Sequence, residues 1–270
     1  MTQAGKVVIV SGGTFGIGRA ITVGLARRNH WVVAFGLESP QVSSIAQAAI
    51  PGLRDELARS GLDAELLEAD VSQAADVARV VDLTLRRYGR VDAVVINAAI
   101  GPLGTVLDTD EALFDKIMAV NLKGPYLISR AALPHMIRQG GGSIINIGSG
   151  AGWGKPNMAA YCASKGGLFA LGTAMAYDFL HSRIRVNTVI PGGGGIVSGM
   201  SLGRVAGDAS RLGKGAPGTA AGRSATGDDV ANVVAFLLSP EAETLSGTVI
   251  DVGCFSHQGG PVPAKPAGKD

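Results

Sequence analysis

The chain has little with which to build a disulfide framework, a metal centre or a face for polyanions. Its two cysteines, Cys162 and Cys254, lie far apart without paired metal-ligand spacing, and His30, His135, His181 and His257 form no ligand pattern. Neither a disulfide nor a metal site is expected. Charge of either sign is scarce in excess: 24 Lys and Arg stand against 22 Asp and Glu, a net of +2 with no basic run. This predicts no nucleic-acid partner and no acidic-membrane partner. Long apolar runs are missing too, because Asp, Asn, Lys or Gly interrupt each one before it could span a bilayer. The opening "MTQAGKVVIV" lacks the regions of a secretion signal. The expectation is a soluble, cytoplasmic, disulfide-free protein. Aromatics reach only 5%, so the core must be aliphatic.

Glycine, by contrast, is abundant at 40 residues, and hydrophobic residues make up 46% of the 270. That length suits one domain with a sizeable core. Many glycines end apolar runs, where tight turns and close backbone approach are needed. The apolar runs "KVVIVSG" at 6–12, "WVVAFG" at 31–36, "VDAVVINAA" at 91–99, "GSIINIGSG" at 142–150, "IRVNTVIPG" at 184–192 and "GTVIDVG" at 247–253 read as strands buried on both faces. A less obvious strand falls in "DAELLEADV" at 63–71.

Segments with helical spacing separate them, including one long stretch, "EALFDKIMAVNLKGPYLISRAALPHMIRQ", at 111–139. Alternating strand and helix predicts a single-domain α/β fold of the Rossmann type: a doubly wound parallel sheet with helices on both faces. The domain should cover 1–255, with a substrate lid at 193–226 and a fraying Pro/Gly-rich tail at 256–270. Segment 39–61 exceeds a simple connection, and Pro51 should divide it into two helical pieces.

Two constellations carry chemistry. The first strand runs into "SGGTFGIGRA", a glycine turn opening a helix, which lets a backbone approach a pyrophosphate and offers it free N–H groups. Alone, this is equally a plain strand-to-helix turn. Asp70 and Val71 end the third strand and Asn97, Ala98 and Ala99 the fourth, on the sheet edge where a dinucleotide binds. The second constellation is "YCASK": Tyr161 and Lys165 lie four apart and share a helix face among small residues. A phenol titrates near ~10, and moving it toward ~7 takes roughly 4 kcal/mol, within reach of a close ammonium. In isolation such a pair is usually a half-buried tyrosine beside a solvated lysine.

These motifs stand in a fixed order: "SGGTFGIG" at 11–18, "DV" at 70–71, "NAA" at 97–99, Ser149 with "YCASK" at 161–165, and "VNTVIPG" at 186–192. The chain thereby resembles the short-chain dehydrogenase/reductase family over nearly all of 5–254. The resemblance implies NAD(P)-dependent hydride transfer to or from a secondary alcohol or ketone. It implies Tyr161 as acid/base, Ser149 on the substrate oxygen, Lys165 beside the phenol and the ribose, and Asn121 retaining a water chain. It further implies that Gly12, Phe15, Gly16, Ile17 and Gly18 line the cofactor phosphates and ribose, with Asp70 and Val71 at adenine. Asn97, Ala98 and Ala99 would follow the cofactor, and Ile190, Pro191 and Gly192 would flank the nicotinamide.

The family reads the adenosine ribose at the end of the second strand, where an acid favours NAD and a base NADP. Gly36 holds that position here and Glu38 follows two residues on, with Phe15 where NADP users carry a base. NAD is favoured over NADP, with Glu38 as ribose reader, although Arg19 is within reach. Trp153, Met158, Ile196 and Met200 suggest a partly apolar substrate pocket. Alternatives are a dinucleotide-binding regulator without turnover and a 3-oxoacyl-carrier reductase. Helices near 110–138 and 157–180 carry enough small and apolar residues to pair with copies, as a homotetramer or homodimer.

Overall fold

Seven strands form one parallel sheet in the order β3-β2-β1-β4-β5-β6-β7. The computed structural model describes residues 5–38, 50–192, 196, 200–201 and 219–253. The strands are β1 (Val7–Ser11), β2 (Trp31–Gly36), β3 (Glu65–Glu68), β4 (Ala93–Ile96), β5 (Gly142–Ile147), β6 (Ile184–Ile190) and β7 (Val249–Asp251). The helices are α1 (Gly16–Ala26), α2 (Ile50–Arg59), α3 (Ala74–Tyr88), α4 (Glu111–Met118), α5 (Gly124–Arg138), α6 (Ala159–Asp178) and α7 (Gly227–Leu238). This is the single Rossmann-type domain that the alternation of strand and helix predicts.

The continuous apolar runs follow from burial on both faces of the sheet. Successive side chains of a strand point to opposite sides. Ile9, Val33, Val94 and Ile144 therefore join one core layer with Val77, Val80 and Val81 of α3 and Ile128 and Met136 of α5. Val8, Val10, Val32, Val95 and Ile145 join the other, with Ile21 and Leu25 of α1 and Val230, Val234 and Leu237 of α7. Polar residues on both faces of these strands would leave neither layer dry.

β1 is flanked by β2 on one side and β4 on the other, so the chain winds outward in both directions from this point. The loops leaving β1 and β4 diverge at their carboxyl ends and open a groove there. This places the glycine loop and the Asn97 turn face to face.

Three expectations are refined. The single helical stretch at 111–139 is broken into α4 and α5 by a five-residue π-helical turn, Ala119–Lys123, centred on Asn121. Such turns insert a residue into the helical ladder and recur at functional sites. Pro51 is the second residue of α2, where its missing N–H is no loss; residues 39–49, the rest of that inserted segment, lie outside the described residues. Most of the expected lid and the whole tail also lie outside them. Of 193–226, Ile196 and Ala225 are buried in the core, and Thr226 caps α7 in a reciprocal bond with Asp229.

Candidate active site

The glycine loop is closed by contacts to β4. Gly12 has φ +61°, and a Cβ there would come within 2.8 Å of the Ala98 backbone. Its carbonyl oxygen accepts a hydrogen bond from Asn97 Nδ2 at 2.9 Å, and a Cβ on Gly18 would overlap that same carbonyl. Ser11 Oγ accepts the backbone N–H groups of Asn97 at 3.0 Å and Ala98 at 3.3 Å. The loop and the Asn97 turn are thus one unit, held close because side chains are absent where they meet. Phe15 is the N-cap of α1, and Gly16 and Ile17 open its first turn, so free helix N–H groups face the groove.

Around this floor the other residues expected at a cofactor stand at strand ends. Asp70 follows β3; its Oδ1 accepts from the Ser72 N–H and hydroxyl at 2.8 and 2.7 Å, which shapes the turn. Val71 is buried against Gly124 at the start of α5. Ala99 continues the β4 loop, and Ile190 ends β6 with Pro191 and Gly192 following. A Cβ on Gly192 would lie 2.7 Å from Ala225 Cβ. Glu38 lies just past β2, and its carboxylate accepts the Ile50 N–H at 2.8 Å. The fit to a dinucleotide rests on the bare glycine cradle and exposed helix N–H groups that a pyrophosphate requires.

The second constellation assembles at the ends of β4 and β5. Tyr161 and Lys165 lie on α6, 6% and 3% exposed. Lys165 Nζ donates to the Ile147 carbonyl at 2.8 Å and sits 5.9 Å from the Tyr161 ring centroid. Among the described residues no carboxylate pairs with this ammonium, and burial pulls its pKa down from 10.5 to about 8. It is not the solvated lysine that an isolated Y-x-x-x-K pair would suggest. Ser149 follows β5, and its Oγ accepts the Ala151 N–H at 3.2 Å, capping a short 3-10 turn, Gly150–Trp153. Ala151 and Met158 pack with Tyr161, and Met200 lies against them.

Asn121 is fully buried in its π-helical turn. Its Oδ1 accepts the Ile100 N–H at 2.9 Å while its Nδ2 donates to the Ile100 carbonyl at 2.8 Å and to Ser164 Oγ at 3.0 Å. The Ser164 hydroxyl in turn donates to the Tyr161 carbonyl at 2.8 Å. These four side chains are therefore joined by scaffold: Asn121 reaches Tyr161 through Ser164, and Lys165 reaches the strand before Ser149 through Ile147. Ser164 escapes a motif reading, in which it is merely small, yet its position three residues after Tyr161 puts it on the same helix face. Ser11 is the other residue whose work the motifs conceal.

Gly101 lines the space beside Tyr161: a Cβ there would lie 3.0 Å from the phenol ring and overlap the Met200 sulfur. Trp153 is 51% exposed, and its ring lies against that of Phe169 with the centroids 4.5 Å apart. Among the described residues no cluster of His, Cys, Asp or Glu has the makings of a metal site, and no helix is long and apolar enough to cross a membrane.

Comparison with known proteins agrees with this geometry. A family model described as enoyl-(acyl carrier protein) reductase matches residues 12–254. The chain is 37% identical over 256 residues to 2-(S)-hydroxypropyl-CoM dehydrogenase 3 of Xanthobacter autotrophicus, covering 92% of this chain and 94% of that protein. It is 30% identical over 260 residues to a 3-oxoacyl-[acyl-carrier-protein] reductase of Thermotoga maritima, covering 93% and 98%. The crystal structure of levodione reductase superposes with a TM-score of 0.82 at 27% identity, covering 94% of this chain and 98% of that one. The chain belongs to the short-chain dehydrogenase/reductase family, and is an oxidoreductase that transfers hydride between a nicotinamide cofactor and a small molecule.

Proposed function

We propose that Tyr161 is the acid/base of this hydride transfer, and that the chain interconverts a secondary alcohol and its ketone with NAD. The observation that carries the reading is the buried ammonium of Lys165 beside the phenol ring. A buried lysine without a carboxylate is costly, and the charge it keeps favours loss of the phenol proton. In oxidation the Tyr161 oxygen takes the proton of the substrate hydroxyl; in reduction its O–H returns the proton to the carbonyl oxygen. Ser149 Oγ holds that same oxygen and steadies the charge that develops on it. Asn121 is a positioning residue, fixing the Ile100 loop and, through Ser164, the turn of α6 that carries Tyr161.

A bound nicotinamide supplies or accepts the hydride. Gly12, Phe15, Gly16, Ile17 and Gly18 would hold the dinucleotide phosphates, Asn97 to Ala99 and Ile190 to Gly192 would flank it, Asp70 and Val71 would meet adenine, and Lys165 would hold the ribose. The two relatives' names support the substrate class, a 2-hydroxypropyl group being a secondary alcohol and a 3-oxoacyl group a ketone. The test uses NADH deuterated at the transferable position with a panel of ketones. Mass spectrometry should find deuterium on the carbinol carbon of a product alcohol. NADH binding without label in any product would overturn the reading.

We infer further that copies pair through α4, α5 and α6 into a homotetramer. Tyr126 and Phe114 are 48% and 41% exposed there, beside a groove of about 600 Å³ lined by Met118, Leu122 and Leu171. Light scattering should give the mass of four chains, and a monomer at working concentration would refute it.

A further inference from the structure

At the corner of the groove expected to meet the adenosine ribose, the guanidinium of Arg19 is already taken. Arg19 follows Gly18 on α1, and its Nε and Nη2 both donate to Glu56 Oε2 of α2, at 2.8 and 2.5 Å. The two side chains are 18% and 29% exposed, so the pair is largely shielded from solvent. Arg19 is bonded at these two donors only. Its third nitrogen, Nη1, is buried and has no hydrogen-bond partner.

The location follows from packing. Val23 and Ala26 of α1 meet Leu53 and Leu57 of α2 in a small core of their own. Arg19, one turn before Val23, continues that face toward the groove. The end of β2, where this fold meets the adenosine ribose, closes the corner.

β2 itself offers neither an acid nor a base at its last residue. Gly36 has no side chain, and a Cβ there would lie 2.7 Å from Thr14 Oγ1, so the space is filled from the glycine loop. Glu38 holds the first N–H of α2, a favourable place for a carboxylate at a helix start. One helix is thus tied to the groove at two points, by Glu38 at its N-terminus and by Glu56 one and a half turns on. Of these two carboxylates, Glu56 is the one that holds the guanidinium. Residues 39–49 carry no charge, and Arg54 and Asp55 of α2 are exposed neighbours of opposite sign. Glu38 and Glu56 against Arg19 leave one carboxylate in excess among these three side chains.

We propose that Glu56 sets the choice between the two nicotinamide dinucleotides: by holding Arg19 in a closed ion pair, it denies the 2'-phosphate of NADP the cation it needs. The inference rests on the dinucleotide reading of the groove. A ribose 2'-hydroxyl is a neutral donor that a carboxylate accepts. A 2'-phosphate carries close to two negative charges and finds no free cation in the pair. Removing the Glu56 charge leaves a guanidinium with unused donors beside the ribose, in the geometry that binds phosphate.

The test is a fluorescence titration with NADH and NADPH of the wild-type chain and of Glu56→Gln and Glu56→Ala, with displacement by adenosine 2'-monophosphate as an independent readout. The wild-type chain should bind NADH at least tenfold more tightly than NADPH. Either variant should gain at least tenfold in affinity for NADPH and for adenosine 2'-monophosphate, and hold NADH within about threefold. Adding Arg19→Gln to the Glu56 variants should abolish the gain. Tight NADPH binding by the wild-type chain, or folded variants with no gain, would overturn the role of Glu56 and leave the dinucleotide reading standing. A wild-type chain that binds neither nucleotide would overturn both.

Discussion

Replacing Tyr161 with Phe is expected to lower turnover by about 10²- to 10⁴-fold, the usual contribution of a positioned acid/base, while NADH affinity stays within about threefold. The variant removes one oxygen and keeps the ring. That ring packs against Ala151, Met158 and Met200 and lies beside Gly101, and the variant keeps those contacts. What disappears is the phenol O–H, whose ring lies 5.9 Å from the buried ammonium of Lys165. A Tyr161→Phe variant that kept more than a tenth of wild-type turnover would remove the tyrosine from the mechanism.

Lys165→Met should separate activity from stability in the opposite sense. Turnover is expected to fall at least 100-fold, because the phenol loses the charge that favours its ionised form. Stability should rise at neutral pH. Burial holds the ammonium at about 8 instead of 10.5, so between those values the folded chain binds fewer protons than the unfolded one. Stability therefore climbs with pH across that window. Below pH 8 both states are protonated, and the fold carries the whole burial cost, of order 3 kcal/mol.

Methionine fits the space without charge and loses about 1 kcal/mol with the bond to the Ile147 carbonyl. The apo variant should melt about 5 °C higher than the wild-type chain at pH 7. Above pH 10 the advantage should vanish or change sign. Thermal melts at pH 7 and pH 10 check this. A variant that melts lower at pH 7, or a difference independent of pH, would mean that Lys165 is not a charge held at a cost to the fold. The trade is typical of sites where function requires what folding opposes.

Much of this site was legible before any tertiary contact was known. Tyr161 and Lys165 share a face because four residues nearly complete a helical turn. Gly12 and Gly18 are required wherever a strand must pass into a helix with another loop pressed against it. The π-helical turn was not legible, because 111–139 has the composition of one continuous helix. Asn121 leaves the ladder there to bond both backbone groups of Ile100, a partner on another strand's loop. Glu38 was legible as a carboxylate near a ribose, but not as the anchor of α2, which begins twelve residues later in the chain.

Composition and spacing decided the strands, their burial on both faces, the parallel sheet and the list of reacting groups. These are properties of short windows: a strand's period, a helix's turn and a glycine's missing side chain act over a few residues. Packing alone decided that Lys165 is buried against the Ile147 carbonyl, that Ser164 links Asn121 to Tyr161, and that Arg19 meets Glu56 across 37 positions of chain. Each depends on how two elements lie against one another, and the same local pattern is compatible with many such placements. The residues proposed to react could be named from their neighbours in the chain, whereas the charges around them are set by neighbours in space.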